Sequence, residues 1–252
     1  MQLFNLAGKT ALVTGGSKGL GKAMARGLAE AGADIVISSR HEDELRPALD
    51  EILKGTGRKG RIVVADMAKR ADVDRLARTT LDLTGRIDIL VNNAGTNQPQ
   101  AIDEIKDEDW NRVMDINLNS IMWLTRALAP QMKQRRWGRI VHISSVMAFV
   151  SKEGRNVYSA TKSALVGIAR SMALDLGGHG VTVNCIAPGP FLTDLPGRLL
   201  SAEEKASFAK TTALGRWGEP AELVGPLLLL ATDAGSYITG ETLVVDGGFL
   251  CR

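Results

Sequence analysis

The feature that most narrows the folds open to this chain is a rhythm. Short apolar runs rich in β-branched residues recur along it, and helix-length segments fill the spaces between them. Thr10–Thr14, Asp34–Ser39, Gly60–Asp66, Ile87–Val91, Arg139–Ile143, Val181–Ile186 and Thr242–Val245 read as strands. The intervening stretches carry helical patterns: one ending at Ala31 before Gly32, then Glu42–Lys54, a third running to about Thr84, Asp107–Gln134, and one ending near Leu176. Strands that alternate with helices and are apolar on both faces imply a parallel sheet covered on both sides. Right-handed crossovers then give an α/β fold, a doubly wound parallel seven-stranded sheet, with no linker or repeat to divide residues 1–252 into more than one domain. Ligands of such folds bind beyond the carboxyl ends of the strands. The stretches at 14–21, 92–95, 144–145 and 188–194 all follow strand ends.

Composition excludes several function classes. A formal charge of +3, with the basic residues dispersed, does not argue for nucleic acid. Cys185 and Cys251 form neither a metal spacing nor a disulfide framework, and His41, His142 and His179 suggest no zinc site. The N-terminus lacks the apolar region of a signal peptide, and the longest apolar run, 226–231, is too short to span a bilayer. A soluble, cytoplasmic protein is expected, with no metal and no membrane partner.

One connection breaks the rhythm. Pro188 to about Glu219 separates the sixth strand from the next helix, with a weak helical patch at Ala202–Lys210. A connection of that length in a compact domain is usually functional, and a substrate lid at about 190–218 is expected.

Two stretches carry chemistry. Tyr158 and Lys162 stand four apart in a helical pattern, which puts an ammonium beside a phenol on one face. A cation that close favours the phenolate and lowers a pKa that is otherwise near 10, so Tyr158 is expected to exchange a proton with a substrate oxygen near neutrality. Gly15-x-x-x-Gly19-x-Gly21, between a strand and a helix, turns backbone N–H groups toward a helix N-terminus, an arrangement suited to a pyrophosphate. Strand two ends in Ser38-Ser39-Arg40-His41, with no acidic residue at the strand end to hold a ribose 2′-hydroxyl. Arg40 can grip a 2′-phosphate in a bidentate fashion and Lys18 can add a second positive charge, which favours NADP(H) over NAD(H). Asp66, at the end of strand three, is a candidate to meet the adenine edge.

Thr14-Gly15-x-x-x-Gly19-x-Gly21, Asn92-Asn93-Ala94-Gly95, Ser145, Tyr158-x-x-x-Lys162 and Pro188-Gly189 stand in one order and spacing. In these motifs the chain resembles the short-chain dehydrogenase/reductase family, and the likeness continues to Tyr237-Ile238-Thr239-Gly240 and Val245-Asp246-Gly247-Gly248. The resemblance implies a Rossmann-type NAD(P)-binding domain that reduces ketones or oxidises secondary alcohols. It implies Tyr158 as the acid/base, Lys162 lowering its pKa while binding the ribose, and Ser145, thirteen positions before the tyrosine, bonding the substrate oxygen. Asn117 matches the family's asparagine that helps hold a proton-relay water, and Thr193 the residue that contacts the nicotinamide carboxamide. The implied cofactor-binding set is Gly15, Ser17, Lys18, Gly19, Leu20, Ser39, Arg40, Asp66, Met67, Asn93, Ala94, Gly95, Tyr158, Lys162, Pro188, Gly189 and Thr193. A homotetramer, with a dimer as the alternative, is implied through the long helices at about 107–134 and 156–176 and the C-terminal segment.

Substrate identity is less constrained. Residues 96–99, 146–149 and the lid should line the pocket, and Arg155 is either a partner for a substrate carboxylate or phosphate or an exposed arginine. The pattern is similar to that of the gluconate 5-dehydrogenase-like sugar and polyol dehydrogenases and of the 3-oxoacyl-carrier-protein reductases. Against these stand two non-enzyme readings, an NADP(H)-sensing regulator or scaffold and a purely structural oligomer. The complete Ser-Tyr-Lys set and the glycine turn weigh against both.

Overall fold

Period-two alternation in the first strand decides how the layers form. In β1 (Thr10–Thr14), Ala11 and Val13 point into one apolar cluster and Leu12 into another, and all three are fully buried. A strand buried on both faces needs helices on both. A computed structural model describes residues 2–192, 201, 203, 207 and 209–251 and shows this sandwich. On one face lie α1 (Gly19–Glu30), α2 (Glu42–Leu53) and α7 (Val224–Ala231); on the other α3 (Arg70–Thr84), α5 (Ser120–Arg135) and α6 (Asn156–Gly177). Each fully buried leucine, such as Leu28 or Leu90, contributes about 2 kcal/mol. These two clusters, rather than the exposed ion pairs, hold the layers together.

The remaining strands are β2 (Asp34–Ser39), β3 (Gly60–Val64), β4 (Ile89–Asn92), β5 (Gly138–Ile143), β6 (Val181–Pro188) and β7 (Thr242–Val245). Their order is β3-β2-β1-β4-β5-β6-β7, parallel throughout. The winding therefore reverses between β1 and β4, and that is where a crevice opens beyond the strand ends. The expected seven-stranded doubly wound sheet is the observed one.

Several boundaries differ from expectation: β3 stops at Val64, short of Asp66, and β5 begins one residue early at Gly138. β6 runs on through Ala187 and Pro188, whose partner is Val245 at the end of β7. β4 begins at Ile89, because the Asp88 backbone N–H turns to the carbonyl of Thr10 and its side chain takes the Thr10 N–H. The helix expected over 107–134 is α4 (Asp107–Met114), a π-helical stretch at Asp115–Asn119, and then α5. The extra residue of a π turn rotates the face of the helix locally, a device common at functional sites. Asn117 sits in the middle of it.

The ends of the long connection after β6 are stitched to each other. The Leu192 N–H donates to Gly218 O at 2.9 Å and the Gly218 N–H to Pro190 O at 2.9 Å. Thr193 and much of the weak helical patch at 202–210 lie outside the described residues.

Candidate active site

The glycine turn after β1 is locked to the end of β4. The Thr14 hydroxyl accepts from the backbone N–H groups of Asn93 and Ala94, both at 3.0 Å. The Asn93 amide in turn donates to Thr14 O at 2.9 Å and Gly15 O at 3.1 Å. Two glycines are required by this closeness. Gly15 has φ +64°, and a Cβ there would come within 2.9 Å of Asn93 Nδ2; a Cβ on Gly21 would meet the Gly15 carbonyl oxygen at 2.2 Å. Asn93, expected to touch the cofactor, thus serves as the brace that fixes the turn. Lys18 at the N-cap of α1 supplies no capping side chain, so the first-turn N–H groups stay available to an anion.

A cleft of about 430 Å³ follows from the turn. Of the expected cofactor residues, Gly15, Ser17, Lys18, Ser39, Arg40, Asp66, Met67, Ala94 and Gly95 line it. Gly19 lies around the corner on a shallower depression, and Pro188 is buried at the end of β6. Arg40 makes no side-chain bond with any described residue. Asp66 is half committed, since its Oδ1 accepts from the Ala68 N–H at 3.0 Å. Lys18 is not a lone cation: its Nζ lies 2.5 Å from Glu44 Oε1, which holds that carboxyl below its usual range. Glu44, from the first turn of α2, and Arg112, from α4, both line the cleft and escaped the sequence reading. Neither is adjacent in sequence to a strand end, so no motif points to them.

Leu20, Ser145, Tyr158 and Gly189 line a second pocket of about 310 Å³ beside the first. Ser145 caps the short turn at Val146–Ala148, accepting from the Met147 N–H at 3.1 Å, and its hydroxyl faces the same pocket as the Tyr158 phenol and acts to lower the phenol's pKa. The two hydroxyls expected to share a substrate oxygen are therefore brought together in one pocket. Lys162, one helical turn on, is almost wholly buried; its Nζ donates to Ile143 O at 2.7 Å and lies 5.6 Å from the centre of the Tyr158 ring. Burial lowers its pKa to about 8.

The expected lowering of the Tyr158 pKa by Lys162 is not what this geometry gives. Burial pushes the phenol up, and the groups acting against that rise are the Ser145 hydroxyl and the charge of Arg155. Desolvation weakens the hold of Lys162 on its own proton, and its Nζ is aimed at a carbonyl rather than at the phenol.

Asn117 is fully buried and its amide is used up. Its Oδ1 accepts from the Thr96 N–H at 2.8 Å, and its Nδ2 donates to Thr96 O at 2.9 Å and Thr161 Oγ1 at 3.2 Å. It ties the loop after β4 to α6. A Cβ on Gly95 would sit in ordinary contact, 3.5 Å from Asn117 Oδ1 and 3.6 Å from Lys162 Nζ, and would take up space that the glycine leaves in that corner. The bare glycine corner, the uncapped α1 terminus and the unpaired Arg40 together fit a dinucleotide laid across the two pockets.

A family model for short chain dehydrogenases matches residues 9–204. A gluconate 5-dehydrogenase of Gluconobacter oxydans is 39% identical over 248 residues, 98% of this chain and 96% of the relative. Among solved structures, a 3-oxoacyl (acyl-carrier-protein) reductase from Agrobacterium tumefaciens with NADP bound superposes with TM-score 0.94 at 32% identity, covering 98% of this chain and 96% of that one. A gluconate 5-dehydrogenase from Burkholderia cenocepacia, in complex with NADP and tartrate, gives TM-score 0.92 at 36% identity over 99% and 98% of the two chains. The motifs, the sheet order and these likenesses agree, and the chain belongs to the short-chain dehydrogenase family of NAD(P)-dependent oxidoreductases.

Proposed function

We propose that this enzyme transfers a hydride between NADP(H) and a ketone or secondary alcohol of small size, a sugar acid or polyol being the preferred class. The observation that carries the reading is the Ser145–Tyr158 hydroxyl pair facing one pocket, whose lining residue Asn97 follows directly on Thr96 of the glycine-turn cleft. Arg40 is the guanidinium for the 2′-phosphate, with Lys18 beside it; the NADP bound in two similar structures supports that choice. NADP(H), when bound, supplies or accepts the hydride at its nicotinamide ring.

The chain's own residues do the rest. Ser145 holds the substrate oxygen, and Tyr158 moves a proton to or from it, the two hydroxyls together neutralising developing charge. Burial raises the phenol's pKa, so the proton must be drawn across with help from the charge that develops on the substrate oxygen and from the bound cofactor. Lys162 bears on the ribose from the floor of the site, and Asn117 holds the loop that carries Gly95 and Thr96 in place. Gly189 lines the second pocket and is assigned to the nicotinamide end; the roles of Thr193 and of a substrate lid at about 190–218 are carried over from the family resemblance, and much of that segment lies outside the described residues.

A second reading, a 3-oxoacyl thioester reductase, is favoured by the apolar share of the second pocket, where Val146, Met147, Phe191 and Phe249 stand. For assembly we propose a homotetramer. Leu174 on α6 is 86% exposed and Val244 on the edge strand β7 is 38% exposed, which leaves apolar faces for a partner copy. No helix among the described residues is long and apolar enough to cross a membrane, and a cytoplasmic location is part of the proposal.

The experiment follows the near-ultraviolet absorbance of the reduced cofactor across sugar acids, cyclic ketones and acyl thioesters, with both NADPH and NADH. Turnover is expected with NADPH, and Tyr158→Phe should reduce it at least about 100-fold while cofactor binding persists. No turnover with any ketone or alcohol, or wild-type rates in the variant, would refute the assignment. Light scattering that shows a monomer would remove the tetramer.

A further inference from the structure

The pocket in front of Ser145 and Tyr158 contains a cation that the reaction as described does not use. Arg155 stands at the N-cap of α6, one turn before Tyr158, and lines this pocket together with Lys152. Its root is fixed. Gln100 pairs with Arg155 in an isolated parallel bridge, the Gln100 N–H donates to Gly154 O at 3.1 Å, and Asn156 Nδ2 donates to Gln100 O at 3.1 Å. The backbone that carries the guanidinium is therefore held from both sides.

Its surroundings differ from those of half-buried Arg135 and buried Arg139. Arg135 reaches Asp88 at 3.3 Å and Arg139 reaches Asp233 at 3.2 Å. Arg155, also partly buried, has no carboxylate among the described residues. A guanidinium placed against an apolar wall without a counter-charge is poorly compensated, and a bound anion supplies what is lacking. Its planar fork matches a carboxylate in two parallel hydrogen bonds. Its charge acts on the Tyr158 phenol, and the two residues line the same pocket, so an anion held at Arg155 shares that pocket with the reacting oxygen. At about 310 Å³ the pocket is at the small end for ligand sites.

We infer that Arg155, with Lys152 at the rim, forms a carboxylate subsite, and that the substrate is a short hydroxy or oxo acid anchored there while its reacting oxygen meets Ser145 and Tyr158. This rests on the oxidoreductase reading of the same pocket and narrows it. A thioester of a carrier protein has no free carboxylate to place at Arg155.

The test uses the full-length enzyme with short oxo acids and their neutral methyl esters, matched in chain length. The wild type should show kcat/KM at least about tenfold higher for the acids than for the esters. Arg155→Gln should raise KM for the acids by about 10- to 100-fold, shrink that acid-over-ester ratio to near one, and leave kcat for the acids within a few-fold; Arg155→Lys should restore part of the ratio. Esters used as well as acids by the wild type, or equal losses on both in Arg155→Gln, would overturn the subsite while leaving the oxidoreductase reading intact. Absence of turnover on every substrate would instead sink that reading. Calorimetric binding of tartrate to the wild-type NADP complex then decides the subsite alone: binding that Arg155→Gln abolishes supports it, and no binding, or binding that survives in the variant, refutes it.

Discussion

Replacing Lys162 by methionine keeps the length and bulk of the side chain and removes its charge. Burial holds this ammonium at a pKa of about 8 against an ordinary 10.5, a difference worth roughly 3 kcal/mol against the folded state at pH 7. Set against that is the loss of the hydrogen bond from Nζ to Ile143 O at 2.7 Å, worth about 1 kcal/mol. Lys162→Met should therefore be more stable than the wild type by about 2 kcal/mol, a rise of roughly 4–8 °C in Tm for a chain of this size. The sign in pH follows from the direction of the shift. Between about 8 and 10.5 the unfolded chain binds a proton that the folded chain has released, so the wild type gains stability as pH climbs through that window. The methionine variant has no such slope. Its advantage should narrow by about 1 kcal/mol between pH 7 and pH 9. Thermal and urea unfolding without added cofactor, at both pH values, measures this directly, and turnover should be lost. A variant less stable than the wild type at pH 7, or an advantage that does not shrink at pH 9, would refute the claim that the site holds its ammonium at the expense of the fold.

The other predictions concern the cofactor end and the sheet. Arg40→Asp should weaken NADPH by about 100-fold while changing NADH by only a few-fold, read as the ratio of Michaelis constants; an unchanged ratio would remove Arg40 from the phosphate site. Glu44→Gln should release Lys18 and tighten NADPH about threefold relative to NADH in a fluorescence titration, whereas weaker NADPH binding would show that the pair serves to position Lys18. His142, buried with Nδ1 accepting from Asn92 Nδ2 at 3.0 Å, has its pKa lowered to about 4 by burial. Its contribution to stability is complete above about pH 6.5 and is lost as pH falls toward 4, roughly 2 kcal/mol of it between pH 7 and 5. His142→Gln should flatten this acid limb in urea unfolding, and an unchanged limb would assign the loss to other groups.

What was legible in the sequence is what local pattern dictates. β-branched runs bounded by glycine marked the strands. The spacing of Tyr158 and Lys162 put them one turn apart on α6, as the structure has them. The glycine turn was legible because Gly15 and Gly21 occupy places where any side chain would collide. The π turn at 115–119 was not, because no glycine or proline interrupts the helical pattern there. Glu44 and Arg112 were missed because they reach the cleft from helix faces, and which face looks inward depends on packing that no single segment encodes. The direction of the Tyr158 shift was misjudged for a related reason. Spacing reports that a cation is near, but whether its charge or the loss of water dominates depends on the depth of the site.

The two hydrogen bonds that join residues 190 and 192 to residue 218 have an evolutionary consequence. They form a neck, so the excursion that leaves β6 comes back to nearly the point where it departed. For a segment anchored in this way, doubling its length costs only about 0.6 kcal/mol in closure entropy. The returning limb is docked as well, with the Leu214 N–H donating to Gly247 O at 3.0 Å and Thr212 buried, so it is between residue 192 and residue 209, rather than in the limb that follows, that changes in length or composition are expected. Divergence of substrate range among relatives should accumulate there first. A transplant confined to residues 193–208, which leaves the bond from Leu214 to Gly247 in place, should carry its donor's preferences into this framework at little cost in melting temperature.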